Sequence, residues 1–238
     1  MAVFAQISDI HIGGSAASAE RASRVMRHLA TLRLDAIVVT GDIADHALVA
    51  EYEVAAEILG SATVPLIVCP GNHDTVPEFE KLIGPANQVL ELETVTFALA
   101  DSSVPGEHHG YLSDATLAWL DEVLGRRPEV PAFVGMHHHP VDLGIPYVDE
   151  IRLRSEERLA DLLRRHPHVA GVLAGHAHTG AASEFAGRPL RIAPGVVSTA
   201  LTTAETTEFF PVTYDKAPGY ALHHFDGRRL VTHFRECP

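Results

Sequence analysis

Residues 35–42 read DAIVVTGD. The run DAIVV is apolar and β-branched, with no polar alternation, which predicts a strand buried on both faces. It stops on Thr40-Gly41-Asp42, a carboxylate behind a glycine at a strand end. The same arrangement stands on either side. Residues 2–7 form a strand-like run that ends on Ser8-Asp9-Ile10-His11. Residues 64–69, VPLIVC, form another that ends on Pro70-Gly71-Asn72-His73-Asp74. Helical patterns fill the gaps. Over 18–32, Ala22, Val25, Met26, Leu29 and Leu32 share one face; over 46–59, Tyr52, Ala55, Ala56 and Leu59 do. This β-α-β-α-β order predicts parallel strands joined by right-handed crossovers.

Further out, a strand is expected near 94–100 and a helix near 113–124. Ser113 or Asp114 is its expected N-cap, with Leu117, Leu120 and Leu124 spaced for burial. A strand at 131–136, a helix at 155–165 carrying Leu159, Leu162 and Leu163, and a strand at 169–174 follow. The helical pattern then stops. Residues 182–198 predict a hairpin with Gly187 in its turn, and 219–226 and 229–234 flank a turn signal at Asp226-Gly227. Residues 200–218, rich in Thr and Pro, predict a long functional or partner-binding loop. Neither an internal repeat nor a linker divides the chain. One domain over 1–238 is expected, with a core of about 3–198 and C-terminal strands and loop at 199–238.

At 238 residues and 46% hydrophobic content, the chain can bury a substantial core. Its net charge of -13 argues against nucleic acid and anionic membrane as partners. A phosphate substrate remains compatible, because bound cations can dominate the local field. The two cysteines, Cys69 and Cys237, give no disulfide framework and suit a reducing compartment. The chain enters a strand-like run at once, and no apolar run approaches the ~20 residues of a membrane span. A cytoplasmic protein is the expectation.

Each chemically suggestive group falls just after a predicted strand. These groups are Asp9 and His11, Asp42, Asn72 and His73, His137 in MHHHP, and His176 and His178 in GHAH. Parallel strands bring such ends to one edge, where α/β proteins bind ligands. Carboxylate, imidazole and amide oxygen together suit divalent Mn, Fe, Zn or Co. Two such ions about 3.5–4 Å apart need a bridging anion, and Asp42 is the natural one. Gly41, Gly71 and Gly175 precede ligand-type residues and allow close backbone approach. Taken singly, Asp-x-His or Gly-Asn-His-Asp is ordinary turn chemistry. Their ordered recurrence at successive strand ends is what carries the reading.

The series SDIH, GD, GNHD, HHHP and GHAH resembles the calcineurin-like metallophosphoesterase superfamily. The stretches ADSSVPGEHHGYLSDATLAWL and AGRPLRIAPG resemble its bacterial class III cyclic-nucleotide phosphodiesterase and glycerophosphodiesterase branch. The likeness covers about residues 3–198. It implies a four-layer αββα sandwich and two divalent metal ions per chain. It implies that Asp9, His11, Asp42 and His178 hold one ion, and that Asp42, Asn72, His137 and His176 hold the other. His138 is the alternative to His137. His73 would contact the scissile phosphate, making His73 and Asp42 the catalytic pair. The implied reaction is hydrolysis of a small-molecule phosphodiester by a hydroxide between the ions, with a 3′,5′-cyclic nucleotide first and a glycerophosphodiester second. A phosphomonoesterase or protein phosphatase on the same scaffold is the rival, as is a non-catalytic metal-binding module. The resemblance leaves room for a homodimer through the C-terminal segment.

Other residues draw blander expectations. His108 and His109 read as solvated loop residues, Asp45 and His46 as a helix start, and Asp74 as a turn-fixing group or partner of His73. His139 reads equally as a pocket residue or as a support for the ligand histidine. Trp119 reads as core. Of the outer loops, Ile145, Tyr147 and Phe210 would suit the organic part of a diester, while Arg152, Arg154 and Lys216 are the few cations available.

Overall fold

The computed structural model describes residues 1–238. The chain runs β1 (Ala2–Ile7), α1 (Ser18–Leu29), β2 (Ala36–Thr40), α2 (Val49–Gly60), β3 (Leu66–Cys69), α3 (Val76–Leu82), β4 (Gln88–Glu91), β5 (Thr96–Leu99) and β6 (Gly110–Tyr111). It continues with α4 (Asp114–Arg126), β7 (Ala132–Gly135), α5 (Pro146–Glu150), β8 (Leu153–Arg154), α6 (Glu156–Arg165) and β9 (Val169–Ala174). The remainder is all strand: β10 (Ala181–Phe185), β11 (Arg188–Ile192), β12 (Thr199–Ala200), β13 (Val212–Thr213), β14 (Gly219–Phe225) and β15 (Leu230–Glu236).

Two sheets form. One is five-stranded in the order β15-β14-β1-β2-β3, the other six-stranded in the order β10-β11-β9-β7-β5-β4. β1, β2 and β3 are parallel, as the sequence predicts, and so are β5, β7, β9 and β11. Three buried clusters define the layers. Val25, Met26, Leu29 and Tyr52 pack α1 and α2 on the outer face of the first sheet. Leu120, Leu124, Leu159 and Leu163 pack α4 and α6 on the outer face of the second. Between the sheets lie Phe4, Val38, Phe97, Phe133 and Phe225. This is the αββα sandwich. Phe4 meets Phe97 edge-on at 4.8 Å, and Phe133 meets Phe225 at 5.1 Å. Each such pair adds about 0.5–1.5 kcal/mol beyond its burial.

Helix ends follow local chemistry. The Ser113 hydroxyl accepts from Thr116 N and caps α4. The second helix starts at Val49 rather than 46, because Glu51 turns back to accept from the backbone N–H of His46 and Leu48. The first predicted hairpin turns through Ala186 and Gly187, both at positive φ. The second does not turn tightly at Asp226-Gly227. Phe225 pairs with Leu230, and Asp226 Oδ1 accepts from the N–H of Arg228 and Arg229 across a four-residue loop. The expected loop at 200–218 contains the short β12–β13 pairing. No helix is long and apolar enough to cross a membrane.

A histidine lies between the sheets. His223 is wholly buried, stacks on Phe4, and hydrogen-bonds Thr232 Oγ1 and Gln6 Oε1. Burial, with Arg191 and His224 nearby, pushes its pKa down to about 3. The unfolded chain takes up this proton near pH 6.5 and the native state does not. The contribution to stability is therefore intact above pH 6.5 and is lost as pH falls from there towards 3. Urea unfolding of wild type and His223→Leu between pH 7 and 5 is expected to show a stability slope shallower in the variant by up to about 1.4 kcal/mol per pH unit. Equal slopes would contradict a neutral buried His223.

Candidate metal centre

The strand ends of both sheets meet at one edge. Backbone bonds fix the loops there: Asp9 N donates to Gly41 O, His11 N to Asp42 O, Val197 N to Asp9 O and Gly175 N to His137 O. Asp9, His11, Asp42, His176 and His178 all have φ between 45° and 68°. Left-handed backbone costs about 1–2 kcal/mol for an L-residue and gathers at functional sites. Asp and His tolerate it better than most residues. Two glycines permit the approach. Gly41 itself has φ 93°, and a β-carbon there would strike the His137 ring. A β-carbon on Gly71 would strike the Asp42 carboxylate.

The side chains converge. Asp42 Oδ2 lies 3.2 Å from His11 Nε2 and 3.3 Å from His137 Nε2. His11 Nε2 is 3.2 Å from His178 Nε2, which is 3.4 Å from Asp9 Oδ1. His137 Nε2 is 3.1 Å from both Asn72 Oδ1 and His176 Nδ1. The outward nitrogens are committed elsewhere. His11 Nδ1 is bonded to Asp45 Oδ1, His137 Nδ1 to Thr40 O, and His178 Nδ1 to the Ser198 hydroxyl, each at 2.7 Å. Such bonds orient an imidazole and leave Nε2 to face a ligand. Asp9, His11, Asp42 and His178 form one group able to hold a metal ion.

The donor set fits cations. Asp9 Oδ2 and His176 Nε2 are buried with no hydrogen-bond partner in the protein, a cost of about 1–3 kcal/mol each unless satisfied. Burial opposes charge on His11, but Asp42, Asp45 and Asp9 overcome it and raise its pKa to about 10. His137 behaves alike, raised to about 9 against burial, chiefly by Asp42. Burial also opposes ionisation of Asp42, yet His137 and His11 hold its carboxyl well below the usual range. A field that keeps protons on buried imidazoles also favours a divalent cation, which displaces those protons on binding. By contrast, burial lowers His178 to about 4, so it offers a free lone pair.

A cavity of about 230 Å³ opens above this cluster. His73 lines it, with Nδ1 donating to Asp45 O at 2.9 Å and its backbone N–H donating to Asp42 Oδ1. His138 stands beside His137 and His176. Both of its ring nitrogens are engaged, with Ser102 Oγ at 2.8 Å and His108 O at 3.1 Å. We therefore favour His137 as the inward-facing member, although proximity alone groups all three.

A model of the calcineurin-like phosphoesterase family matches residues 2–180. The chain belongs to this family. It is 32% identical over 203 residues to the glycerophosphodiester phosphodiesterase GpdQ of Enterobacter lignolyticus, covering 81% of this chain and 72% of that one. It is 36% identical over 165 residues to the 3′,5′-cyclic adenosine monophosphate phosphodiesterase CpdA of Escherichia coli, covering 67% of this chain and 60% of that one. Its fold resembles a dimetal phosphatase from Danio rerio, with TM-score 0.74 at 19% identity over 99% of this chain and 96% of the other. This is a metal-dependent phosphoester hydrolase.

Several phosphoesterase residues carry little signal in the sequence. Asp45 is not a helix start; it holds His11 Nδ1 and lies 3.7 Å from His73 Nδ1. His46 bridges Asp45 and Glu51. His108 is not merely solvated, since it lines the cavity beside His73. Ser198 orients His178 without any motif to announce it. Asp74 fixes the turn, accepting from Ile43, Ala44 and Gly71 N–H, and its carboxylate does not hydrogen-bond His73. His139 is buried against Val141 O rather than in the cavity. Trp119 packs against the core.

Proposed function

We propose that this phosphoesterase hydrolyses a small-molecule phosphodiester, a 3′,5′-cyclic nucleotide ahead of a glycerophosphodiester. The supporting observation is the cavity lining. Its 18 residues include no Lys or Arg. Arg152 is tied to Asp142 and Glu156, Arg154 lies by a different surface pocket, and Lys216 by another. A site for dianionic monoesters would be expected to offer such cations to the extra charge. Tyr147, Phe210 and Tyr214 face the cavity instead, which suits an organic substituent. Ile145 does not join them; it is buried in the core beneath. The phosphodiesterase names of GpdQ and CpdA agree with this reading.

In this proposal Asp9, His11, Asp42 and His178 hold one divalent ion, and Asp42, Asn72, His137 and His176 hold a second. When bound, such a pair supplies an activated water and neutralises charge on the phosphoryl oxygens. The chain does the rest. Asp42 is kept in place by the His73 N–H, and His11 by Asp45. His73 Nδ1 is anchored on Asp45 O, and Nε2 donates to a phosphoryl or leaving oxygen when the ring is the doubly protonated imidazolium. The test compares kcat/KM for bis(p-nitrophenyl) phosphate, p-nitrophenyl phosphate and cyclic AMP under one metal condition. The diesters are expected to lead. A preference for the monoester would overturn the diester assignment.

A further inference from the structure

We infer that Phe210, braced by Tyr147, is the stacking surface for the nucleobase of a bound nucleotide. This rests on the reading of the cavity as a phosphodiester site and deepens it. The cavity has two unlike halves. Its floor is the histidine and carboxylate cluster; its outer wall is Tyr147, Val148 and Ile151 from α5 and its end, with Phe210, Val212 and Tyr214 from the β12–β13 hairpin. Phe210 is 58% exposed although it lines the cavity. Phe209 and Tyr214 are 70% and 55% exposed, so three open aromatic rings lie within six residues. An exposed apolar cluster at a cavity mouth marks a binding surface.

The geometry holds the Phe210 ring without stacking over it. Tyr147 meets it edge-to-face, with centroids 4.9 Å apart and planes at 78°. Tyr147 meets Phe209 in the same manner at 5.7 Å. The hairpin is tied to the metal centre by backbone. Ala200 pairs with Val212, and Leu201 N donates to Pro211 O. Arg21 on α1 donates to Val196 O and Lys216 O, on either side of the hairpin. Val196 N and Val197 N donate in turn to Ser8 O and Asp9 O. The aromatic wall therefore has a fixed relation to Asp9. A flat, neutral ring with stackable faces suits a surface of aromatic and branched aliphatic groups with no cation.

The test is calorimetry on metal-loaded wild type, Phe210→Ala and Phe210→Tyr, with adenosine 5′-monophosphate, ribose 5-phosphate and phosphocholine. Wild type is expected to bind the nucleotide about 5- to 150-fold tighter than ribose 5-phosphate, the range for stacking one base on an aromatic side chain. Phe210→Ala should remove most of that ratio while leaving ribose 5-phosphate affinity and metal content unchanged, and Phe210→Tyr should restore it. A ratio near one in wild type, equal weakening of both ligands in Phe210→Ala, or preference for phosphocholine would each overturn the inference. Because binding is read directly, it can stand or fall apart from turnover of cyclic AMP, on which the diester reading depends.

Discussion

Asp42→Asn is expected to strip the protein of both metal ions and most of its activity. The side chain is 2% exposed, and its Oδ2 reaches both halves of the cluster. Oδ2 stands between His11 and His137, while Oδ1 accepts the His73 N–H. Asparagine keeps the size and accepts φ 53°, so the turn should survive. What it loses is the negative charge that outweighs burial at His11 and His137. Without that charge Asp9 is the one carboxylate left in the ligand group, with Asp45 behind His11, to offset a pair of dications. Metal analysis should show occupancy falling from two ions towards none. The kcat/KM for bis(p-nitrophenyl) phosphate should fall by at least ~10²–10³-fold, the scale of losing one group that stabilises transition-state charge. Chelation of wild type should reproduce the loss. Retention of two ions with full activity in Asp42→Asn would refute a bridging role.

The sequence displays this arrangement because its parts are local. Each ligand-type residue sits within a few positions of an apolar run, and the runs are plainly strands. α1, α4 and α6 are long enough for helical spacing to repeat, as Val25, Leu29, Leu120, Leu124, Leu159 and Leu163 show. α3 and α5, of seven and five residues, are too short for that, and α3 buries only Phe79. β4 alternates half-buried and exposed residues at a sheet edge, so its signal is weak. An apolar run says that a strand is covered on both faces but not to which sheet it belongs. The resemblance, not the periodicity, implies two sheets. Contacts across long separations are equally silent. Asp45 reaches His11 across 34 positions, and Ser198 reaches His178 across 20. Neither spacing is a pattern. Asp45 is free to do so because Glu51, not Asp45, caps the second helix.

His73→Ala is expected to leave metal content near wild type while reducing turnover in a way that depends on the leaving group. The imidazole is partly exposed to the cavity, and Nδ1 already donates to Asp45 O. Its removal leaves no buried acceptor stranded, since the Asp45 carbonyl can bond water in the space vacated. The backbone N–H that supports Asp42 is retained by any residue but proline. The fold and the metal cluster should therefore persist. If Nε2 donates the proton that leaves with the alkoxide, a cyclic nucleotide, whose leaving group is an alkoxide, should lose roughly 10²–10⁴-fold in kcat. Bis(p-nitrophenyl) phosphate should lose far less, because p-nitrophenolate departs without protonation. The ratio of the two losses is the diagnostic, and His73→Gln should match alanine on the alkyl substrate, because an amide can donate a hydrogen bond but cannot release a proton. Equal losses on both substrates would assign His73 to binding and charge stabilisation instead of acid catalysis.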